Sequence, residues 1–334
     1  MLALLPLVAT VAAMACEEGV GRLVLLRGGE AASDFALLVQ ANVSMRRELQ
    51  VLATFDAAAS APILYVNGSN QGYLLLERNF PEKVRVVEKN CKVTVASEMV
   101  HFWNLDRLNQ EGADLDGNVS VARPAIAPAA TTTVYVLDTY VLVTHEQFVG
   151  RWEEGYAVYP EACTSQGHGT HVAGTALGNT VGVAREAVLV PVTVLSCDGT
   201  GYMTDIVAGL DWMISDHEGR TGPAVATMSL GALSINENMY ASMSAILEAA
   251  VDGGITVAAA AGNDGGNAKY SWPANQDYVI AVGNTEVEDE TDEIAPTSNT
   301  GADVNIYAPG TNIYSSWVPD DDSYAVSSLS LIHI

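Results

Sequence analysis

Residues 167–175 of this 334-residue chain read GHGTHVAGT, and they decide its fold together with an apolar run, VYVLDT, at residues 134–139. The run is typical of a buried strand, and it reaches an acid at Asp138. His168 lies between two glycines at a point where a helix is expected to begin. A serine hydroxyl is a poor nucleophile at neutral pH unless an imidazole takes its proton and a carboxylate fixes the tautomer of that imidazole. The order Asp138, then His168, therefore indicates two members of a triad that acts through a serine.

His168 has two other interpretations. It could be a structural histidine in a glycine-rich turn, or one half of a zinc pair with His171. The spacing of the two histidines lacks the His-Glu-x-x-His pattern and a carboxylate ligand at motif spacing, so we predict no metal ligand here. The nine-residue pattern and the upstream Asp138 favour the triad over a structural histidine.

Three further segments place small residues at the ends of apolar runs. VLVPVTVL at residues 188–195 is typical of a buried parallel strand, and CDGTGY follows at residues 197–202. MSLGA lies at residues 228–232, and VAAAAGND lies at residues 257–264. Taken alone, the first two are ordinary glycine-rich loops at strand ends, and the third is an Asn-Asp-Gly turn.

These segments, together with DTYV at residues 138–141 and with His145, Phe148, Gly150 and Arg151, resemble the subtilisin-like serine proteases. This is the subtilase or peptidase S8 family, and the resemblance is to its proteinase K branch in particular. It implies an α/β sandwich with a mainly parallel sheet and helices on both faces. It also implies a serine endopeptidase that cleaves protein or peptide substrates. Tyr140 departs from the family pattern, which has a glycine two residues after the aspartate.

The resemblance also implies roles for individual residues. Asp138 would orient His168, His168 would act as general base and then acid, and Asn263 would donate a hydrogen bond to the oxyanion. A substrate peptide would add as a strand between two walls: Gly199, Thr200 and Gly201 on one side, and Ser229, Leu230 and Gly231 on the other. Some relatives carry a disulfide at the places that Cys163 and Cys197 occupy, which implies that bridge here.

The C-terminal residues depart from the family pattern. After NIYAPGTNIYSSW at residues 305–317 the family places a Gly-Thr-Ser-Met-Ala block that carries the nucleophile, whereas residues 328–334 read SLSLIHI. Ser330 can be aligned with the nucleophile, but the residues after it do not match. We therefore expect the catalytic serine to be lost or displaced in this chain, and the chain as written to be inactive. The alternative is a catalytically inactive protein of the same fold that binds peptides.

The first residues of the chain predict secretion. Residues 1–15, MLALLPLVATVAAMA, are almost wholly apolar and end on a small-x-small pattern, which predicts a signal peptide. This run is short for a membrane span and contains a proline, and no later run is long enough, so we predict no membrane partner. Glycosylation sequons begin at Asn42, Asn67 and Asn118 and agree with an extracellular protein.

Residues 17–100 are predicted to form a small α+β unit. Strands are expected at residues 23–26, 63–66, 72–76 and 84–88, with an amphipathic stretch at residues 35–52. This order resembles the inhibitor I9-like propeptide of subtilases, which implies an intramolecular inhibitor. WNLDR at residues 103–107 resembles the start of the mature enzyme, so residues 101–334 are interpreted as a peptidase S8 catalytic domain that is incomplete at its C-terminus.

Composition excludes several classes of partner. The net charge is -25, with 40 acidic and 15 basic residues, which excludes nucleic acid and anionic membranes as partners. None of the four cysteines lies in a nucleophile motif, so cysteine protease chemistry is disfavoured. We expect a monomer that requires no cofactor. A structural calcium ion is possible, but its ligands are not assigned, and Asn305 stands where related chains carry an aspartate ligand.

Overall fold

The computed structural model describes residues 18–27, 31–58, 60–94, 103–108, 131–236, 239–288 and 291–328. Its first part, the N-terminal unit (residues 18–94), contains four strands and three helices: β1 (Glu18–Leu26), α1 (Ala32–Ala41), α2 (Met45–Glu48), β2 (Leu49–Phe55), β3 (Ile63–Gly68), α3 (Asn70–Asn79) and β4 (Val84–Thr94). Strands β2, β3, β1 and β4 lie in that order in one antiparallel sheet. The predicted signal peptide at residues 1–15 lies outside the described residues.

Two predictions for this unit are wrong in detail. The segment at residues 72–76, predicted as a strand, belongs to helix α3, because Ser69 caps the helix by accepting a hydrogen bond from the backbone N–H of Gly72 at 3.1 Å. The buried residues Gly72 and Leu76 are four apart and lie on one face of that helix. The amphipathic stretch at residues 35–52 is not a single element. Helix α1 ends at Ala41, the short helix α2 follows, and strand β2 begins at Leu49.

The second part, the C-terminal unit (residues 103–328), carries a larger sheet. Its elements are α4 (Trp103–Arg107), β5 (Thr133–Asp138), a 3-10 turn (Glu146–Phe148), β6 (Tyr156–Ala157), α5 (His168–Leu177), β7 (Val188–Thr193), β8 (Thr200–Tyr202), α6 (Met203–Glu218), β9 (Ala224–Met228), β10 (Ala232–Leu233), α7 (Ala241–Asp252), β11 (Ile255–Ala260), a 3-10 turn (Ala268–Tyr270), β12 (Ser271–Trp272), β13 (Ile280–Glu288), β14 (Thr291–Ile294), β15 (Ile306–Pro309), β16 (Ile313–Ser316) and β17 (Tyr324–Ser327).

The larger sheet has eight strands in the order β14-β13-β11-β9-β5-β7-β6, and β15 also pairs with β13. Within the described residues its pairings are parallel except for β13 with β14. Parallel strands joined by helices bury both faces of a sheet, which explains the continuous apolar runs in the sequence. The predicted α/β sandwich is therefore confirmed.

Strand β5 shows how the two faces are covered. Tyr135 and Leu137 pack into the core on the side of α6 and α7. Val134 and Val136 pack on the opposite side, with Val172 and other residues of α5. Because successive strand side chains point to opposite faces, this single strand contributes to both cores and is fully buried.

The N-terminal unit packs on the α6 and α7 side. Leu23 and Leu25 of β1 join the core that contains Met203 and Met243, whereas Val24 belongs to the separate core of the N-terminal unit. Strand β4 also pairs with β8 of the C-terminal unit, so that β8 extends the N-terminal sheet to five strands. Among the described helices, none is long and apolar enough to cross a bilayer.

Candidate active site

The residues that the motifs single out follow the carboxyl ends of neighbouring parallel strands. Asp138 ends β5, Ser229 follows β9, Asn263 follows β11, and Gly199 follows β7. These four strands lie side by side in the order β11-β9-β5-β7. The carboxyl ends of parallel strands share one edge of a sheet, which is where open α/β sheets bind ligands.

The central contact at this edge joins Asp138 and His168. Oδ1 of Asp138 lies 2.6 Å from Nδ1 of His168, the first residue of α5. The aspartate is fully buried and the histidine is 2% exposed. Nε2 of His168 has no hydrogen-bond partner among the described residues. The imidazole is therefore held by its Nδ1 atom, and Nε2 is left to act on another group.

Thr139 supports this pair, and motif analysis did not single it out. The backbone N–H of Thr139 donates to Oδ1 of Asp138 at 2.7 Å, and its hydroxyl lies 3.2 Å from the same oxygen. That hydroxyl also accepts from the backbone N–H of Gly169 at 2.9 Å. Thr139 thus ties the end of β5 to the first turn of α5. A small hydroxyl residue directly after Asp138 was the only sequence signal for this role.

Tyr140 does not disturb the acid. Glycine is required where a residue has a positive φ, and Tyr140 is not among the described residues with a positive φ. The Asp138 carboxylate keeps its 2.6 Å contact with His168 with the tyrosine in place. The expected glycine is therefore not needed for the Asp–His geometry.

His171 has a different environment from His168. Its Nε2 lies 2.9 Å from the backbone oxygen of Ile313, and complete burial lowers the pKa of its imidazole to about 3. His171 is therefore a neutral side chain that donates a hydrogen bond to β16. Within the described ranges, no group of three or more histidine, cysteine or acidic side chains could hold a metal ion. The contact with Ile313 favours a structural role over the zinc interpretation.

Helix α5 approaches the β16–β17 hairpin closely. The Ser315 hydroxyl donates to the backbone oxygen of His171 at 3.0 Å, and the Ser316 hydroxyl donates to that of Thr170 at 2.8 Å. A Cβ atom on Gly174 would overlap both of these hydroxyls. The small residues of the motif therefore let the hairpin lie directly against the helix that begins at His168.

The two predicted substrate walls follow the strands on either side of β5, which ends at Asp138. Gly199 has a φ of 77° and turns the chain into β8, which contains Thr200 and Gly201. Ser229, Leu230 and Gly231 directly follow β9. Strand β4 pairs with β8 through Lys92 with Tyr202, Val93 with Gly201 and Thr94 with Thr200. A peptide segment of this chain therefore already lies along the first wall as an antiparallel strand.

Asn263 lies in the turn after β11, between two residues whose backbones are fixed by another loop. The backbone oxygen of Gly262 accepts from the N–H of Asn299 at 2.9 Å, and the N–H of Asp264 donates to Oδ1 of Asn299 at 3.1 Å. Asn299 was missed by motif analysis. In the sequence, Asn299 is marked only as one polar residue in the long segment after β14.

The C-terminal unit contains the disulfide that the resemblance implies. Cys163 and Cys197 are bridged, with Cα atoms 5.4 Å apart and a sequence separation of 34. The bridge joins the segment before α5 to the loop after β7. It therefore links the histidine side of the site to the first substrate wall.

The side-chain oxygen of Asn305 is already engaged. It accepts a hydrogen bond from the backbone N–H of Ala281 at 2.7 Å. Calcium prefers several oxygen ligands, and this contact ties the one offered by Asn305 to the backbone. A structural calcium ion stays a possibility without assigned ligands.

The β16–β17 hairpin precedes the position where the family pattern places its serine. Ser328 follows β17 and its hydroxyl accepts from the N–H of Asn312 at 3.0 Å. Ser330 lies outside the described residues. The prediction of a lost or displaced nucleophile therefore stays a prediction.

The parallel sheet, its two layers of helices and the buried Asp–His pair at its carboxyl edge define a subtilisin-like serine protease fold. Sequence comparison agrees, because the model of the Subtilase family, Peptidase_S8, matches residues 129–332. This chain belongs to the subtilase family.

Individual relatives and a solved structure support the assignment. The chain is 41% identical over 218 residues to an extracellular serine proteinase of Thermus sp. strain Rt41A, covering 64% of this chain and 50% of that protein. It is 32% identical over 274 residues to a cuticle-degrading serine protease of Arthrobotrys oligospora, covering 80% and 64% of the two chains. The crystal structure of a cold-adapted subtilisin-like serine proteinase matches with a TM-score of 0.59 and 34% identity, covering 69% of this chain and 79% of that chain.

The matched relatives are longer than this chain. It spans 50% of the Thermus proteinase and 39% of alkaline serine exoprotease A of Vibrio alginolyticus, to which it is 37% identical with 66% of this chain covered. The comparisons thus establish the family of this chain.

Proposed function

We propose that this chain carries the peptide-cleaving apparatus of a secreted serine endopeptidase. The observation that carries the proposal is the 2.6 Å contact between Asp138 Oδ1 and His168 Nδ1, with Nε2 of His168 left without a partner among the described residues. A serine hydroxyl next to Nε2 would complete the arrangement. The names of the relatives, which include an extracellular proteinase, agree with secretion and with this activity.

The chemistry proceeds from the properties of each group. Asp138 holds the Nδ1–H tautomer, so Nε2 has the lone pair that accepts the serine proton as the hydroxyl attacks a peptide carbonyl. The resulting imidazolium is stabilised by the buried carboxylate and later protonates the departing amine. The side-chain amide of Asn263 donates to the oxyanion, and removing one such donor lowers kcat by about 10²–10³-fold.

The proposal assigns the N-terminal unit to an inhibitory propeptide. In support, its strand β4 occupies the β8 edge, where a substrate strand would pair. The side chain of Asn90 also accepts from the backbone N–H of Thr204 at 3.0 Å, at the start of α6. A side chain of one unit thus satisfies a helix N–H that has no partner within its own helix. Protein and peptide substrates, a monomeric state and release of this unit by cleavage before Trp103 belong to the same proposal.

The test is to express the full chain through a secretory pathway and measure casein hydrolysis and covalent labelling by a fluorophosphonate probe. Because the Asp–His pair is intact and Ser330 aligns with the nucleophile, we expect both in the parent protein after release of the N-terminal unit, in place of the inactive chain that residues 328–334 alone predict. We expect His168→Ala to abolish both. His217→Gln is the matched control, because His217 lies in the last turn of α6, at the other end of that helix from the substrate wall. This control is expected to keep full activity.

Mapping the labelled peptide identifies the nucleophile, with Ser330 as the serine that aligns with the family position. A folded parent protein that binds peptides, does not hydrolyse casein and is not labelled would overturn the proposal in favour of a peptide-binding protein. Hydrolysis that persists in His168→Ala would remove His168 from the mechanism.

A further inference from the structure

The side chain of Asn299 uses its full hydrogen-bonding capacity within one loop. Its Oδ1 accepts from the backbone N–H groups of Asp264 at 3.1 Å and Gly266 at 2.7 Å. Its Nδ2 donates to the backbone oxygen of Ala261 at 3.0 Å and to the Ser271 hydroxyl at 2.9 Å. The residue is 3% exposed. A buried amide with every donor and acceptor satisfied fixes the geometry of the groups it contacts.

The backbone partners of Asn299 flank Asn263 on both sides. Ala261 and Gly262 precede Asn263, and the backbone oxygen of Gly262 accepts from the backbone N–H of Asn299 at 2.9 Å. Asp264 and Gly266 follow it. The loop is therefore held at its entry and at its exit, and Asn263 lies between the two points of attachment.

The local backbone requires this support. Gly262 has a φ of 105°, a conformation that residues with a Cβ atom rarely adopt, and a Cβ atom here would overlap Nδ2 of Asn299. The N–H of Gly265 donates to the backbone oxygen of Thr297 at 2.8 Å, and that of Thr300 donates to the oxygen of Gly266 at 2.9 Å. The Asn299 loop and the Asn263 loop thus form one hydrogen-bonded unit.

We propose that Asn299 is a positioning residue that aims the Asn263 side chain at the oxyanion. The proposal rests on the function proposed above, in which Asn263 is the oxyanion donor. Asn299 contacts no reacting atom and acts only through the backbone that carries Asn263.

Asparagine is chemically required at this position. An aspartate has the same shape, but it replaces the Nδ2 donor with an oxygen that would face the backbone oxygen of Ala261 and repel it. The substitution Asn299→Asp therefore breaks the side-chain bond at the loop entry, while it keeps the backbone bond to Gly262 and leaves the volume unchanged. The Ser271→Ala change is milder, because it removes only one acceptor of Nδ2.

A displaced oxyanion donor has a specific kinetic effect. The oxyanion forms only in the transition state, so losing its donor lowers kcat and leaves substrate binding nearly unchanged. We expect Asn299→Asp to lower kcat per active site by about 10- to 100-fold, somewhat less than complete loss of the donor, with KM changed by less than about twofold. Active sites are counted by fluorophosphonate titration, so that a lower folded fraction does not mimic the effect.

The decisive experiment is a double-mutant cycle with Asn263→Ala. If Asn299 acts through Asn263, Asn299→Asp has almost no further effect on kcat in the Asn263→Ala protein. Ser271→Ala is expected to give a smaller loss with the same non-additivity, and it keeps the test available if Asn299→Asp does not fold. Asn267→Asp is the matched control, since Asn267 is an exposed asparagine in the adjacent turn, and full kcat is expected.

Amide hydrogen exchange gives a readout that needs no activity. We expect the N–H groups of Asp264 and Gly266 to exchange faster in Asn299→Ala, which removes the Oδ1 acceptor of both, and at the parental rate in Asn267→Asp. Multiplicative effects in the cycle, a rise in KM at constant kcat, or unchanged exchange of both amides would overturn the positioning role. If the parent protein hydrolyses no peptide and the amides of Asp264 and Gly266 still exchange faster in the Asn299 variant, the proposed function is wrong. The attachment of the loop by Asn299 is then still supported.

Discussion

Oε1 of Glu88 lies 2.5 Å from the backbone nitrogen of Ser242 and accepts its hydrogen bond. Glu88 belongs to β4 of the N-terminal unit, and Ser242 lies in the first turn of α7 in the C-terminal unit. The glutamate is 6% exposed, and its Oε2 has no partner among the described residues. A single carboxylate thus caps a helix of the other unit, at a cost in desolvation.

This contact predicts a pH-dependent stability. Burial raises the pKa of Glu88 from its ordinary value of 4.5 to about 7, so between these two pH values the folded chain holds a proton that the unfolded chain releases. The free energy of unfolding therefore falls as the pH rises through this window, by about 3 kcal/mol in total. Glu88→Gln is expected to abolish this contribution and to raise the unfolding midpoint at pH 8 relative to the parent.

The measurement is thermal unfolding of both proteins from pH 4.5 to 8. Glu82→Gln, an exposed glutamate of the same unit, is the matched control and is expected to follow the parent. A parallel pH dependence in Glu88→Gln and the parent would exclude Glu88 as the source.

Gly174 predicts a packing effect between α5 and β16. Alanine has the higher helix propensity, but its Cβ atom would overlap the Ser315 and Ser316 hydroxyls. We expect Gly174→Ala to lower the free energy of unfolding by about 1–3 kcal/mol. Gly219→Ala at the end of α6 is the control, because the nearest atom to its Cβ would be the Asp216 oxygen at 3.4 Å, an ordinary contact. Equal stability of the two variants in urea would contradict the prediction.

The disulfide predicts a stability difference of its own. Replacing both Cys163 and Cys197 with serine opens a loop whose ends have a sequence separation of 34, and it is expected to destabilise the protein by about 2–4 kcal/mol. Denaturant unfolding of the double variant measures this difference. Peptide mapping of secreted material without reduction provides the direct check, and finding both cysteines as free thiols would refute the pairing.

Thr139 predicts an effect on catalysis, conditional on the proposed activity. Thr139→Val keeps the shape of the side chain but removes the hydroxyl that joins Asp138 to the N–H of Gly169. Hydrogen bonds to charged groups contribute about 1.5–3 kcal/mol, so we expect kcat to fall by about 10- to 100-fold. Thr139→Ser keeps the hydroxyl and is expected to retain most of the activity. Equal kcat values for the two variants would show that the hydroxyl has no part in holding the acid.

The strand that ends at Asp138 and the helix that begins at His168 were predictable from sequence because both are encoded by consecutive residues. Apolar runs predicted β5 and β7 in the same way. The segment at residues 72–76 was predicted wrongly because five apolar and small residues fit a buried strand and a helix face equally well. The N-cap at Ser69 was the local signal that distinguishes them.

The sequence by itself determined the family, the Asp–His order and the parallel-sheet architecture, since each depends on short patterns along the chain. Only the tertiary structure decided the residues that support the site. Glu88 and Ser242 are 154 residues apart, and Asn299 contacts a loop about 35 residues before it. Such contacts leave no periodic or local signal, because a single polar residue acquires its partners only when distant strands and loops pack together.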